Sequence, residues 1–246
     1  MWKYTLPNAN DWTYFYGVDA KPTPHNLMEL PLITKNIFPE LIETPLKIVN
    51  GNLVNAPMSF PENAIIFLNT ATSDCYSQTI YQIGHELCHM YIKANPIDRN
   101  FYPNTFWFEE TLCEISSHLF LEEYLKIKGW DDSNKTMRYD AYSEYMLSDT
   151  FIEPFNTKEL FMAYHETDQY MRNHSTDRCK NRYIAKILLP IFRENRNLLQ
   201  ELPKLRNLYT INDFRTFLSA WKDAANSQNK PAIQKIMESL EFPGQN

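Results

Sequence analysis

The sequence predicts an α+β fold, in which a small sheet precedes a mainly helical C-terminal half. Short apolar runs of strand length lie before residue 70, whereas apolar residues recur at three- and four-residue steps from about residue 104 onward. Because 246 residues suffice for one sizeable core, we expect a single domain over residues 1–246. It would have a proline-rich N-terminal lobe, about 1–100, and a helical C-terminal lobe, about 101–246.

Proline is concentrated at the start of the chain. Residues 1–63 hold eight of the 15 prolines, which predicts an irregular, strand-poor region. Residues 47–50 are one short strand candidate. The run AIIFLN at residues 64–69 predicts a second strand, either buried within a sheet or at its edge.

A helix is predicted at residues 79–93, where the run TIYQIGHELCHMYIK has apolar residues at three- and four-residue steps. Asn95 and Pro96 would end it. Gly84 lies inside this helix, where glycine costs about 1 kcal/mol relative to alanine. A glycine at this place therefore predicts close packing against a neighbouring element.

The same helix carries His85, Glu86 and His89, which form the pattern H-E-x-x-H. Helical residues four apart have Cβ atoms roughly 5–6 Å apart, so the two histidines can share one metal ion. Glu86 points to an adjacent face and can accept a proton from a water that Zn²⁺ activates. Because the string also arises by chance, its meaning depends on a third ligand.

The best third ligand lies on the next predicted helix, which begins near Asn104 and runs to about Lys128. Glu110, Glu114 and His118 follow one another at four-residue steps on one face of it. An acidic face of this kind is often only a solvated surface. Here the face begins about twenty residues after His89, in the first turns of the following helix, which favours a role beside the metal.

These residues resemble a gluzincin, the class of zinc peptidases that joins H-E-x-x-H to a glutamate on the following helix. Thermolysin-like members place an Asp four residues after that glutamate, where this chain has Glu114. The aminopeptidase pattern W-L-N-E-G-F-A is matched at Trp107 and Glu110, whereas Thr111 replaces its glycine. The resemblance covers residues 64 to 120 approximately, and both versions select Glu110 as the ligand.

The resemblance implies a zincin-like catalytic domain with Zn²⁺ as cofactor and a peptide or protein as substrate. His85, His89 and Glu110 would bind the ion, and Glu86 would act as general base. Glu114 and His118 would orient a ligand histidine. The strand at residues 64–69 would form the edge of the cleft and pair with extended substrate.

Peptide hydrolysis also needs a donor for the oxyanion, which gluzincins take from a Tyr or His on later helices. His165 and His174 are the favoured candidates, because the chain has only 6 histidines and both lie in one predicted helical stretch.

Further helical segments are predicted near residues 135–148, 157–173, 177–201, 211–226 and 231–241. Pro190 is expected to kink or divide the third of these segments.

Composition excludes several other functions. The net charge of −6 argues against a nucleic-acid partner. No apolar stretch approaches the length of a membrane span, and the first residues lack a signal peptide's apolar region. The four cysteines form no C-x-x-C pair, which favours free thiols in the cytoplasm. The sequence leaves the oligomeric state open.

Two alternatives to a peptidase remain. The chain can be a zincin scaffold that binds metal or a protein partner without catalysis, although Glu86 would then have no purpose. A structural zinc site can instead involve Cys88 or Cys113, since each lies within three residues of a proposed ligand. A closed shell of four protein ligands would identify that second alternative.

Overall fold

The computed structural model describes residues 2–16, 27–51, 54–70, 76–92, 104–128 and 142–242. Within these residues a five-stranded mixed sheet precedes a long helical region, so the predicted α+β class is confirmed. The strands are β1 (Trp2–Thr5), β2 (Trp12–Tyr16), β3 (Leu46–Asn50), β4 (Met58–Phe60) and β5 (Ile65–Leu68).

The first 63 residues are richer in strands than predicted. They supply four of the five described strands, and the prolines that the structure describes in this region lie outside those strands. Pro7 lies between β1 and β2, whereas Pro57 and Pro61 directly flank β4. Proline lacks the N–H that a sheet needs, so it limits the length of strands here without excluding them.

The sheet has the order β1-β2-β3-β5-β4. Its central pairs, β2 with β3 and β3 with β5, are parallel, and the two outer pairs are antiparallel. Strand β5 is therefore internal, with Ile66 and Leu68 fully buried. The structure shows the core strand predicted for residues 64–69, and the expectation that this strand forms an edge is wrong. The edge beside it is β4.

The helices largely follow the predicted segments. They are α1 (Leu30–Ile37), α2 (Tyr76–Ile92), α3 (Phe106–Lys128), α4 (Glu166–Asn173), α5 (Arg178–Glu194), α6 (Phe214–Ala224) and α7 (Lys230–Glu241). Short 3₁₀ segments cover Pro39–Glu43, Pro61–Asn63, Thr157–Phe161 and Arg196–Leu208. Residues 142–146 are also helical, whereas residues 135–141 of that predicted segment lie outside the described ranges.

Two details of the helices differ from expectation. Helix α2, which carries the H-E-x-x-H pattern, begins at Tyr76, three residues before its predicted start. Helix α5 continues through Pro190 to Glu194, so this proline does not divide it. The structure describes α3 as far as Lys128, which the predicted helix also reaches, and the residues that follow lie outside the described ranges.

The chain forms two compact units, and α3 contributes to both. The first unit comprises residues 1–91 and 116–144, and the second comprises residues 92–115 and 145–246. The predicted lobe boundary near residue 100 lies outside the described residues. In the first unit Phe38 contacts the rings of Tyr91 and Phe120. In the second, Phe108 contacts Phe214, Phe217 and Trp221.

Among the helices that the structure describes, none combines the length and the apolar character needed to cross a membrane.

Candidate metal centre

A side-chain amide fixes α2 against the end of β5. Gln82 accepts a 2.9 Å hydrogen bond from the Asn69 backbone N–H and donates a 2.8 Å bond to the Asn69 carbonyl. These two bonds satisfy the backbone of the residue that follows the strand, where the sheet ladder ends. Because Gln82 precedes His85 by three residues, the contact orients the helical turn that carries the histidines.

Helix α3 packs closely on the same turn of α2. A Cβ atom built on Gly84 would lie 2.9 Å from both Cβ and Cγ of Phe120, which confirms the close packing predicted from this glycine. The Ser116 hydroxyl donates a 2.8 Å hydrogen bond to the Gly84 carbonyl. The crossing of the two helices is thus fixed immediately before His85.

Three potential metal ligands converge beside this crossing: His85, His89 and Cys113. One ligand atom from each lies within 4.8 Å of the others, and the two imidazole rings have centroids 5.1 Å apart. Cys113 is fully buried, His85 is buried and His89 is half-buried. Cys113 precedes Ser116 by three residues on the continuous helix α3, so the Ser116–Gly84 bond constrains its position.

The chemistry of this set fits Zn²⁺. Zinc prefers imidazole nitrogen and thiolate sulfur in tetrahedral sites, with Zn–N near 2.0–2.1 Å and Zn–S near 2.3 Å. Tetrahedral ligand atoms at these lengths are roughly 3.4–3.6 Å apart, so atoms that lie within 4.8 Å of one another need to approach by at most about 1.4 Å. Three protein ligands leave the fourth position to water or substrate, as in a catalytic site.

Glu86 and Glu110 are both buried, and each is close in sequence to one of the three potential ligands. Neither belongs to the group of three. A general base must contact the activated water without binding the metal, and this role of Glu86 stays a prediction. Glu110 lies one helical turn before Cys113, and its assignment as a zinc ligand stays a prediction.

Glu114 has a partner of opposite charge. The Arg182 Nε atom lies 3.3 Å from Glu114 Oε2, and both side chains are almost fully buried. The Arg182 guanidinium also stacks over the Phe151 ring, 5.9 Å from its centroid. The role of Glu114 in orienting a histidine stays a prediction.

His118 is fully buried in the first unit. Its Nδ1 atom lies 2.7 Å from Ser143 Oγ, and its ring contacts Tyr81 edge-on with centroids 5.2 Å apart. Tyr81 is on α2, four residues before His85. These contacts make His118 part of the packing around the motif helix, and its predicted contact with a ligand histidine stays a prediction.

His165 and His174 lie at the two ends of α4. His165 is the N-cap, and its Nδ1 atom accepts a 3.3 Å hydrogen bond from the Thr167 N–H. His174 is exposed at the C-cap, where its ring stacks on Tyr170 with centroids 4.2 Å apart. Capping gives both histidines a structural role, and their proposed role at an oxyanion stays a prediction.

The residues that position the site were harder to foresee than the ligands. Gln82 and Ser116 were not singled out, although each is a polar residue in an otherwise buried stretch of its helix. A buried polar side chain nearly always has a hydrogen-bond partner, and that rule is the signal that identifies such residues. Cys113 was considered only as part of an alternative site.

Comparison of the chain with protein-family models, with curated proteins and with solved structures gives no match. The resemblance to gluzincins therefore depends on the residues of α2 and α3 alone.

Proposed function

We propose that the protein is a zinc-dependent peptidase of zincin-like fold. The observation that supports this most directly is the convergence of His85 and His89 with a third ligand from α3, on a helix that also carries Glu86. The buried strand β5 leads into α2, as the proposed fold requires. Among the residues that the structure describes, Cys88, Cys113 and Cys179 form no disulfide, which agrees with a reducing compartment such as the cytoplasm.

In this proposal the protein residues have distinct tasks. His85 and His89 would hold the ion, which would supply the Lewis acidity that lowers the pKa of water to about 7. Glu86 would accept the proton from the attacking water and later pass it to the leaving amine. Burial of Glu86 keeps this carboxylate in a site that excludes bulk water, where electrostatic interactions are stronger.

The main competing function is a metal centre without turnover. The buried thiol of Cys113 favours this alternative, because cysteine is a frequent ligand of structural zinc. The two functions differ in the fourth ligand position. A structural centre would close it with a protein atom, whereas a peptidase must leave it open to water.

The experiment that tests catalysis compares the wild type with Glu86→Gln, both loaded with zinc, on a mixture of unstructured peptides. We expect cleavage by the wild type and a decrease of about 100-fold or more in the variant, which keeps its metal. The wild type treated with a chelator is the control. Equal cleavage by both loaded proteins, or no cleavage by the loaded wild type, would exclude the peptidase.

A further inference from the structure

We infer that the third zinc ligand is the thiolate of Cys113 and not the carboxylate of Glu110. This inference rests on the proposed metal centre and specifies its chemistry. It changes the site from the two-histidine, one-glutamate set of gluzincins to a set of two histidines and one cysteine.

The geometry supports cysteine. The Cys113 sulfur is within 4.8 Å of the ligand atoms of both histidines, and Glu110 is not a member of this group. Successive residues of a helix rise by 1.5 Å, so Glu110 lies roughly 4.5 Å farther along the axis of α3 than Cys113. Cys113 lies three residues before Ser116, whose hydroxyl contacts the Gly84 carbonyl one residue before His85.

Burial does not distinguish the two cysteines near the histidines. Cys113 is fully enclosed, so a thiolate there needs a positive charge such as a metal ion beside it. Cys88 is an equally buried thiol on α2, directly before His89, and it does not belong to the group. The two cysteines thus differ in geometry but not in exposure, which makes Cys88 a matched control.

The charge of the centre would be unchanged. A thiolate and a carboxylate each supply one negative charge to the ion. Each also fills one coordination position, so the fourth position stays open to water with either ligand. Sulfur is the softer donor, and soft ligands favour Zn²⁺ over Mg²⁺, Ca²⁺ or Mn²⁺. We therefore expect the site to bind zinc and cobalt and to discriminate against hard cations.

Cobalt substitution tests the ligand without any measurement of activity. Co²⁺ bound to a thiolate gives a charge-transfer absorption band in the near ultraviolet, whereas nitrogen and carboxylate ligands do not. We expect this band in the wild type, in Cys88→Ser and in Glu110→Gln. We expect Cys113→Ser to lack the band and to bind zinc at least about 100-fold more weakly. Mutation of a residue that only hydrogen-bonds to a metal ligand already lowers metal affinity by about 10–100-fold, and loss of a ligand should lower it at least as much.

A second variant keeps the test decisive if Cys113→Ser does not fold. Replacement of Cys75, Cys88 and Cys179 together by serine leaves Cys113 as the sole thiol, and the band must persist. Its disappearance there, or its persistence in folded Cys113→Ser, would overturn the assignment. Cobalt binding by the wild type without the band would overturn the cysteine ligand alone, whereas no metal binding would overturn the proposed peptidase as well.

Discussion

The Ser116 hydroxyl donates a hydrogen bond to the carbonyl of Gly84, with 2.8 Å between the oxygens. Gly84 directly precedes His85, and the missing side chain of this glycine lets Phe120 of α3 lie against α2. One hydrogen bond and one close contact thus determine where α3 crosses the helix that carries the histidines. The position of any ligand on α3 depends on this crossing.

We expect Gly84→Ala to destabilise the protein by about 1–2 kcal/mol. Alanine favours a helix by about 1 kcal/mol over glycine, but its Cβ would overlap two atoms of Phe120, and we expect this overpacking to cost about 2–3 kcal/mol, the upper part of the usual range. The added methyl would meet Phe120 at 2.9 Å, which is too close to accommodate without a shift of α3. Urea denaturation of the metal-free protein measures the change in the free energy of unfolding.

Lys126→Ala on the same helix α3 is the control, because the Lys126 side chain is 77% exposed. We expect that substitution to change stability by less than about 0.5 kcal/mol. A Gly84→Ala protein as stable as the wild type, or more stable, would show that α2 and α3 are not in close contact at this point.

The sequence allowed the elements around the site to be predicted more accurately than their contacts. The course of α3 as far as Lys128 and the strand at 65–68 follow from periodicity and from the residues that interrupt it. The pairing of the strands could not be predicted in the same way, because it depends on residues that are far apart in the chain. The internal position of β5, between β3 and β4, therefore could not be inferred from the run of apolar residues at 64–69.

We expect Arg182→Met to destabilise the protein by about 3–5 kcal/mol. The substitution removes the arginine partner of Glu114, whose side chain is only 2% exposed, and a buried charge that loses its partner is costly. The double variant with Glu114→Met should regain much of the lost free energy of unfolding, because the buried carboxylate of Glu114 is then absent as well. Thermal or urea denaturation of the two single variants and the double variant measures the coupling.

The exposed pair of Arg215 and Glu241 provides a comparison. The Arg215 Nη2 atom lies 2.8 Å from Glu241 Oε1, but the two side chains are 47% and 23% exposed. We expect Arg215→Met to cost at most about 1 kcal/mol, because solvent screens such a pair. Equal losses for the two arginine variants would mean that Glu114 is not the reason for the Arg182 effect.

Glu201 predicts a dependence of stability on pH. Burial alone would raise the pKa of Glu201, but hydrogen bonds from Lys204, Asn229 and the Asn226 N–H outweigh it and hold the pKa below its usual value. The unfolded chain then binds more protons than the folded one. The stabilisation is complete above the unfolded pKa of about 4.3 and is lost as the pH falls through the lower folded pKa.

We therefore expect Glu201→Gln to cost about 1–3 kcal/mol at pH 7, because it weakens buried hydrogen bonds to a charged group. The difference from the wild type should decrease as the pH is lowered from 5 to 3. Denaturation curves across this range check the prediction, with the exposed Glu238→Gln as control. A difference that stays constant with pH would show that Glu201 is not ionised in the folded protein.

The candidate site was predictable in part. His85, Glu86 and His89 were identified because their spacing on one helix is a local property of the sequence. The sequence alone does not separate the two candidates for the third ligand, because Glu110 and Cys113 are three residues apart on α3 and share one face. The choice between them depends on the position of α3 along the axis of α2. The Ser116–Gly84 hydrogen bond, which joins the two helices, constrains that position.

The zinc content of three purified proteins tests whether the two histidines of α2 bind a zinc ion. Mass spectrometry of the purified wild type, Glu86→Gln and His89→Ala, with circular dichroism to verify folding, gives the number of ions per chain. The proposed metal centre predicts one zinc in the wild type and in Glu86→Gln, and none in His89→Ala. A zinc-free wild type, or a folded His89→Ala that retains its full zinc, would contradict it.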